Sequence, residues 1–133
     1  MKVAFATRTG GAVDEHFGRA GQFAVWDITP EGGTQLELRQ VAEGDLDTAV
    51  VTTRGLGSLH DDAIASKIDK LADCKIVYFT EIGGPSAAKL VQRGIMPLKA
   101  EEGSGIEATA DALVETMKTR PAPWMRKALM SED

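Results

Sequence analysis

A change in hydrophobic period near Asp61 constrains the fold of this 133-residue chain more than any other feature. Before Asp61 the apolar residues follow strand patterns over Lys2–Ala6, Gln22–Ile28 and Gln35–Val41. In the first of these, Val3 and Phe5 alternate with smaller neighbours, which predicts one inward face. The turn at 30–33 is short enough to predict an antiparallel hairpin between the second and third strands. Residues 7–21 contain many glycines and polar residues and predict a long loop.

After Asp61 helical and strand patterns alternate. Ile64, Ile68 and Leu71 share one face of an amphipathic helix. The continuous apolar run at 76–79 then predicts a strand that is buried on both faces. This half of the chain therefore indicates helices packed on the strands of a sheet.

A second helix is predicted between two turn signals. Residues 83–86 (GGPS) open it, since proline suits the first helical turn, and Gly94 ends it. A short strand follows at 95–98, and the helix between them predicts that this strand is parallel to the run at 76–79. A last long helix is indicated by apolar residues at helical spacing, namely Ile106, Ala110, Leu113, Val114 and Met117.

The order of these elements predicts an α/β fold, a single domain over residues 1–133 with a mixed β-sheet and flanking helices. Residues 121–133 form a C-terminal tail that contains Pro121, Pro123 and Trp124. The tail is suited either to docking on another protein or to folding back on its own sheet.

Composition excludes several classes of function. The formal charge of −5 argues against nucleic-acid binding, which depends on basic residues neutralising phosphates. The chain has no apolar segment of membrane-spanning length and no secretory leader pattern, so a cytoplasmic location without membrane contact is expected. A single cysteine excludes an internal disulfide framework and a Cys-only iron–sulfur site.

One loop combines the residues best suited to bind a metal. Residues 13–18 read VDEHFG and place the imidazole of His16 directly after two carboxylates. A neutral imidazole is a good ligand for iron, and Asp14 or Glu15 could fix its tautomer by a hydrogen bond to the ring. The alternative is a histidine whose side chain caps the loop by hydrogen bonding to the backbone. In the same motif, Phe17 is expected to pack the loop on the sheet, and Gly18 to adopt a turn conformation that other residues avoid.

Further candidates could assist His16 or have ordinary structural roles. Arg8 and Arg19 flank the loop and could attract an anionic ligand, although surface arginines are common. Gly83 and Gly84 present backbone amides at a helix N-terminus, which favours an anion but is also a plain strand-to-helix turn.

Two more residues are second-rank candidates as metal ligands. Cys74 could ligate a cluster as a thiolate, yet a cysteine before a buried strand is more often a small apolar residue. His60 could supply a second imidazole or act as a helix cap.

Several segments in order resemble the NifX-type proteins of nitrogenase cofactor assembly. They are 1–7 (MKVAFAT), 13–20 (VDEHFGRA), 23–27 (FAVWD), 71–78 (LADCKIVY), 82–95 (IGGPSAAKLVQRGI) and 123–129 (PWMRKAL). The resemblance implies a ribonuclease H-like core and His16 as the residue that binds the cofactor. It also implies a cargo, which is the iron-molybdenum cofactor or its iron–sulfur precursor. The implied partners are NifB-type and NifEN-type assembly proteins or apo-dinitrogenase.

These residues and this resemblance leave three alternative functions. The first is a non-catalytic carrier that passes the cofactor or its precursor between assembly proteins. The second is a nuclease-like enzyme, which needs clustered carboxylates for its metals, whereas Asp27 stands alone on its strand. The third is a metal-free interaction module that stabilises an immature nitrogenase or assembly component. The carrier is the favoured interpretation.

Overall fold

The computed structural model describes residues 1–41 and 64–130, with side chains described as far as residue 127. His60 lies outside the described residues. The described part contains a five-stranded sheet in the order β4-β3-β1-β5-β6. Its strands are β1 Lys2–Ala6, β3 Gln22–Thr29, β4 Gly32–Gln40, β5 Ile76–Phe79 and β6 Met96–Lys99.

The sheet is mixed, as the order of patterns predicted. β1 is antiparallel to β3 and parallel to β5, and β5 is in turn parallel to β6. The hairpin predicted at 30–33 is confirmed, since β3 and β4 pair antiparallel with a register shift at Val25/Trp26. The carboxyl ends of β1 and β5 therefore lie at the same edge of the sheet.

The prediction of an irregular loop over 7–21 is wrong in two places. Residues Ala12–Val13 form β2, which pairs antiparallel with β7 at Ser104–Gly105. Phe17–Arg19 form a 3₁₀ turn that ends at Ala20. The pairing of β2 with β7 joins segments far apart in the sequence, so a local pattern of glycines and polar residues could not reveal it.

Helices cover both faces of the sheet, and each face has its own hydrophobic cluster. The helices are α1 at 64–70, α2 Gly84–Gln92, α3 Ile106–Thr119 and α4 Pro123–Met130. On one face α1 and α2 contribute Ile64, Ile68 and Leu90 to a cluster with Ala4, Ala6 and Phe79. On the other face α3 and α4 contribute Leu113, Met117 and Met125 to a cluster with Val3, Phe5 and Ile76. Each fully buried Leu, Ile or Phe contributes about 1.5–3 kcal/mol, so these faces dominate stability.

The first strand is buried on both sides, which corrects the prediction of one inward face. Val3 and Phe5 point to the α3 side, but Ala4 and Ala6 are equally buried on the α1 side. The reason is that β1 is the central strand of the sheet, with helices above and below it. Small residues on the α1 side leave room for the Phe17 loop and α1 to pack closely.

The described part of the C-terminal tail packs against the domain. Met125 on α4 is buried, and Trp124 packs against the cluster on the α3 face. Of the two alternatives for this tail, the structure therefore shows the second. Within the described ranges, no helix is long and apolar enough to cross a membrane.

Candidate functional site

The loop that carries His16 is fixed by backbone hydrogen bonds to the carboxyl end of β5. The amide of Phe17 donates to the carbonyl of Glu81 at 2.8 Å, and the amide of Thr80 donates to the carbonyl of Glu15 at 3.1 Å. Phe17 itself is fully buried, and its ring centroid lies 5.9 Å from that of Phe23. The prediction that Phe17 packs the loop on the sheet is confirmed.

A buried lysine also supports this loop from α1. The ammonium of Lys67 donates to the carbonyl of Phe17 at 2.7 Å and to that of Gly18 at 3.1 Å. It also lies 5.3 Å from the centroid of the Phe17 ring. Sequence reasoning did not single out Lys67, although a signal existed. It lies beside Ile68 and three residues after Ile64, on the apolar face of the predicted helix, where an unpartnered lysine is rare.

The imidazole of His16 is exposed, and no hydrogen bond of its ring is found among the residues that the structure describes. It makes no side-chain cap bond to the 3₁₀ turn, although its carbonyl accepts hydrogen bonds from Arg19 and Ala20. The alternative interpretation of His16 as a capping side chain is therefore not supported. An exposed imidazole on a rigid backbone is available for a ligand.

The prediction that a neighbouring carboxylate fixes the His16 tautomer is wrong for this structure. Glu15 accepts a hydrogen bond from the backbone amide of His16 at 2.9 Å rather than from the ring. The Asp14 carboxylate accepts hydrogen bonds from the amide of Arg8 at 2.7 Å and from the hydroxyl of Thr9 at 3.0 Å. It therefore stabilises the turn at residues 8–14 rather than the His16 ring. The prediction for Gly18 is also wrong, because Gly18 is not among the glycines with positive φ. It lies within the 3₁₀ turn, which ordinary residues can adopt.

His16 lines a cleft of about 240 Å³ together with the start of α2. This His16 cleft is lined by His16, Gly18, Ile64, Glu81, Ile82, Gly83 and Ser86. Gly83 is the N-cap of α2 and Gly84 its first residue, with Pro85 in the first turn and no acidic side chain there. The site thus combines an imidazole with the positive end of a helix dipole. It lies outside the carboxyl ends of parallel strands, where α/β sheets commonly bind ligands.

The charges around the His16 cleft are mixed. Glu81 lines it, but its carboxylate forms an ion pair with Lys99 at 3.0 Å. Arg8 is exposed with its Nε 3.8 Å from the carboxylate of Glu15, and Arg19 is exposed at the end of the 3₁₀ turn. Neither arginine lines the cleft, so the structure brings together His16 and Gly83 while Arg8 and Arg19 flank them.

The structure separates Cys74 from this site. Cys74 precedes β5, whereas the His16 loop contacts the residues after it, and four strand residues span about 13 Å. Burial and the neighbouring Asp73 carboxylate raise the pKa of the Cys74 thiol to about 12. A thiol that resists ionisation is a poor metal ligand. Among residues 1–41 and 64–127, no three His, Cys, Asp or Glu side chains form a preformed metal site.

Comparisons with known proteins show the family and the fold of this chain. A family model described as "Dinitrogenase iron-molybdenum cofactor" matches residues 1–116. The NifX protein of Herbaspirillum seropedicae is 36% identical over 129 residues, covering 97% of this chain and 82% of the relative. The NifX protein of Rhodobacter capsulatus is 30% identical, covering 97% and 77%. The crystal structure of PH0822 superposes with a TM-score of 0.63 at 22% identity over 93% of this chain and 99% of the other, which shows a shared fold.

The match over residues 1–116 defines the class of protein. The chain belongs to the dinitrogenase iron-molybdenum cofactor family. Within that family it is a NifX-type protein, because the similarity to the NifX sequences covers nearly its whole length.

Proposed function

We propose that this NifX-type chain is a non-catalytic carrier in nitrogenase cofactor biosynthesis. Its cargo would be the iron-molybdenum cofactor or an iron–sulfur precursor, bound through the imidazole of His16. One observation carries the proposal. The His16 ring is exposed, is not used to hold its own loop, and lies in one cleft with the N-terminus of α2.

The chemistry of the two groups is complementary. Imidazole is a good ligand for iron. The free amides at the start of α2 favour negative charge, which sulfide-rich clusters carry. Gly83 and Gly84 have no side chain that would keep a bulky cluster from these amides, and a Cβ at Gly84 would meet no atom within 4 Å.

The loop is held before any cargo arrives. Hydrogen bonds from Phe17 and Thr80 fix both sides of His16, and the Lys67 ammonium fixes the carbonyls that follow. A ligand on such a preorganised backbone loses little conformational entropy on binding. A single side-chain ligand also leaves most of the cluster's coordination to be completed elsewhere, which suits a protein that must release its cargo.

The finer assignments extend this proposal. We take NifB-type and NifEN-type proteins as donors or acceptors and apo-dinitrogenase as a possible destination, acting in the cytoplasm. We also take the core as ribonuclease H-like, which is supported by the order of an antiparallel meander followed by two parallel strands. A nuclease activity is not proposed, because the Asp27 carboxylate accepts a hydrogen bond from the N-terminal amine at 3.0 Å and no metal-binding cluster of carboxylates is found among the described residues.

The test is retention of cluster by purified protein without oxygen. Protein is mixed with isolated cofactor or its precursor, and iron and visible absorbance are followed through a sizing column. The parent chain is expected to retain cluster, and His16→Ala to lose at least most of it. His16→Gln keeps polarity but not the imidazole, so it separates coordination from simple filling of the cleft.

Control variants localise the effect. Cys74→Ala and His60→Ala are expected to retain cluster as the parent does. Equal retention by His16→Ala would contradict the assignment, and no retention by the parent would favour the metal-free interaction module. Circular dichroism of each variant checks that a loss does not come from unfolding.

A further inference from the structure

A second cleft lies away from His16, where α4 folds back near the start of β6. Its volume is about 350 Å³, and its walls come from the end of α2, the start of β6 and α4. Val91, Ile95, Met96 and Trp124 supply apolar surface, and Lys75 and Lys127 also line it. We refer to these six residues, together with Gly94 between them, as the α4 cleft.

The local fold explains why this space stays open. Met125 is buried and anchors α4, while the neighbouring Trp124 remains only partly buried and forms one wall. Gly94 turns the chain from α2 into β6 with φ +77°, and a Cβ there would meet no atom within 4 Å. Val91 keeps 58% of its surface exposed although its neighbours are apolar. A ligand that covers this apolar wall would be stabilised there, because the burial of apolar surface is favourable.

The charge of the α4 cleft is the opposite of the charge of the whole chain. The chain carries a formal charge of −5, yet none of the described residues that line this cleft is acidic. Lys2 and Lys99 form ion pairs with Asp73 and Glu81. Within the part of the chain that the structure describes, no ion pair of this kind is found for Lys75 or Lys127. Two such ammonium groups beside an apolar wall favour an anionic group attached to an apolar body.

We propose that the α4 cleft binds a small amphipathic anion, namely an apolar body of roughly eight carbon atoms with one carboxylate. The volume lies in the range of about 300–1,000 Å³ that is typical of small-molecule sites, and such sites combine mostly apolar walls with few polar groups. This site is separate from the His16 cleft and does not depend on the proposed carrier function. It also depends on a segment outside the family domain, since the family model ends at residue 116 and α4 is Pro123–Met130.

The two tryptophans provide a direct readout of binding. Trp124 lines the α4 cleft, whereas Trp26 on β3 does not and serves as an internal control. In ¹⁵N–¹H spectra, submicellar octanoate is expected to shift the indole signal of Trp124 and to leave that of Trp26 in place. 1-Octanol has a similar apolar chain without the charge and should bind about fivefold more weakly, because each exposed ion pair adds a modest amount. Octylamine, which is cationic at pH 7, should bind more weakly still.

Matched variants separate the charge from the apolar wall. Lys75→Gln and Lys127→Gln are each expected to reduce the affinity for octanoate about two- to threefold. Lys118→Gln removes the same charge from exposed α3 and should leave binding unchanged. Val91→Asp adds a carboxylate at an exposed position and should abolish octanoate binding while leaving the thermal midpoint nearly unchanged.

Either of two results would overturn the proposal. The first is an absence of any selective shift of the Trp124 signal with millimolar octanoate. The second is equal affinity for octanoate, 1-octanol and octylamine, which would show a cleft that does not recognise an anion. Cluster retention by the parent chain tests the carrier proposal independently, so the two can fail separately.

Discussion

Lys67 is the residue whose replacement tests the proposed support of the His16 loop most directly. Its ammonium is fully buried and donates hydrogen bonds of 2.7 and 3.1 Å to the carbonyls of Phe17 and Gly18. Lys67→Met keeps the approximate length and the apolar stem of the side chain but removes the ammonium group and both of these hydrogen bonds. We expect the variant to fold with a loosened loop and a lower free energy of unfolding.

The magnitude follows from what the two carbonyls lose. Hydrogen bonds to a charged donor contribute about 1.5–3 kcal/mol each, which gives an upper bound near 6 kcal/mol for the pair. Two effects reduce it. The Phe17 carbonyl also accepts from Ala20 at 3.3 Å, and the bond to Gly18 is only partly buried. Removing a buried ammonium also relieves its desolvation penalty. We expect a net loss of about 2 kcal/mol, or about 8 °C in the thermal midpoint.

The assay combines urea unfolding with amide hydrogen exchange. Lys70→Met is the matched control, because Lys70 lies on the same helix, is exposed and donates to the Val41 carbonyl at 3.1 Å rather than to the His16 loop. Exchange at the Ala20 amide, which bonds to the His16 carbonyl at 3.0 Å, should accelerate in Lys67→Met and not in Lys70→Met. Equal unfolding free energies for the two variants, or unchanged protection at Ala20, would refute the reasoning.

Three further predictions test the surrounding fold. The buried Cys74 thiol, whose pKa is raised to about 12, should react with a thiol reagent at pH 8 at least about 100-fold more slowly in the folded than in the urea-unfolded chain. Because the unfolded thiol ionises near pH 8.5, stability should fall as pH rises above about 8.5, and Cys74→Ala should remove that fall. Hydrogen bonds from Arg39 lower the pKa of Asp73, so Asp73→Asn should lower the free energy of unfolding by about 1 kcal/mol at pH 7. In urea titrations this difference between the variant and the parent should shrink below about pH 4, because the stability that comes from a lowered pKa is lost when the carboxylate is protonated. Gly94 has φ +77° with open space around it, so Gly94→Ala should cost about 1 kcal/mol through backbone strain alone, measured by the same titrations.

Most of the sheet and its helices could be predicted from the sequence because their signals are local. The apolar run at Ile76–Phe79 and the turn signals at Gly83 and Gly94 identified β5 and α2 within one or two residues. The β3–β4 hairpin was predicted from its short turn. In contrast, β2 depends on pairing with β7 and has no signal of its own. The β2 strand forms because it pairs with β7, and not because its own residues have a strand pattern.

The site was only partly predictable for a related reason. The motif at 13–18 identified His16 and the GGPS turn identified Gly83, each on its own segment. That the two line one cleft depends on the parallel pairing of β1 with β5, which places both loops at one edge of the sheet. The role of Lys67 depends on the packing of α1 against the 3₁₀ turn, and the sequence offered only a lysine on an apolar helix face.

The site pairs a rigid loop with few ligands, and this combination has a consequence for cargo transfer. Backbone bonds and Lys67 hold the backbone on either side of His16, but they would add no coordination bond to a bound cluster. In the proposed carrier, this held backbone would favour well-oriented capture, while affinity would rest on one imidazole and the amides of α2. The Glu81 carboxylate in the same cleft opposes an anionic cargo, and its pairing with Lys99 at 3.0 Å limits that opposition. A partner that drew Lys99 away would expose the full charge of Glu81 to the cluster and so promote its release.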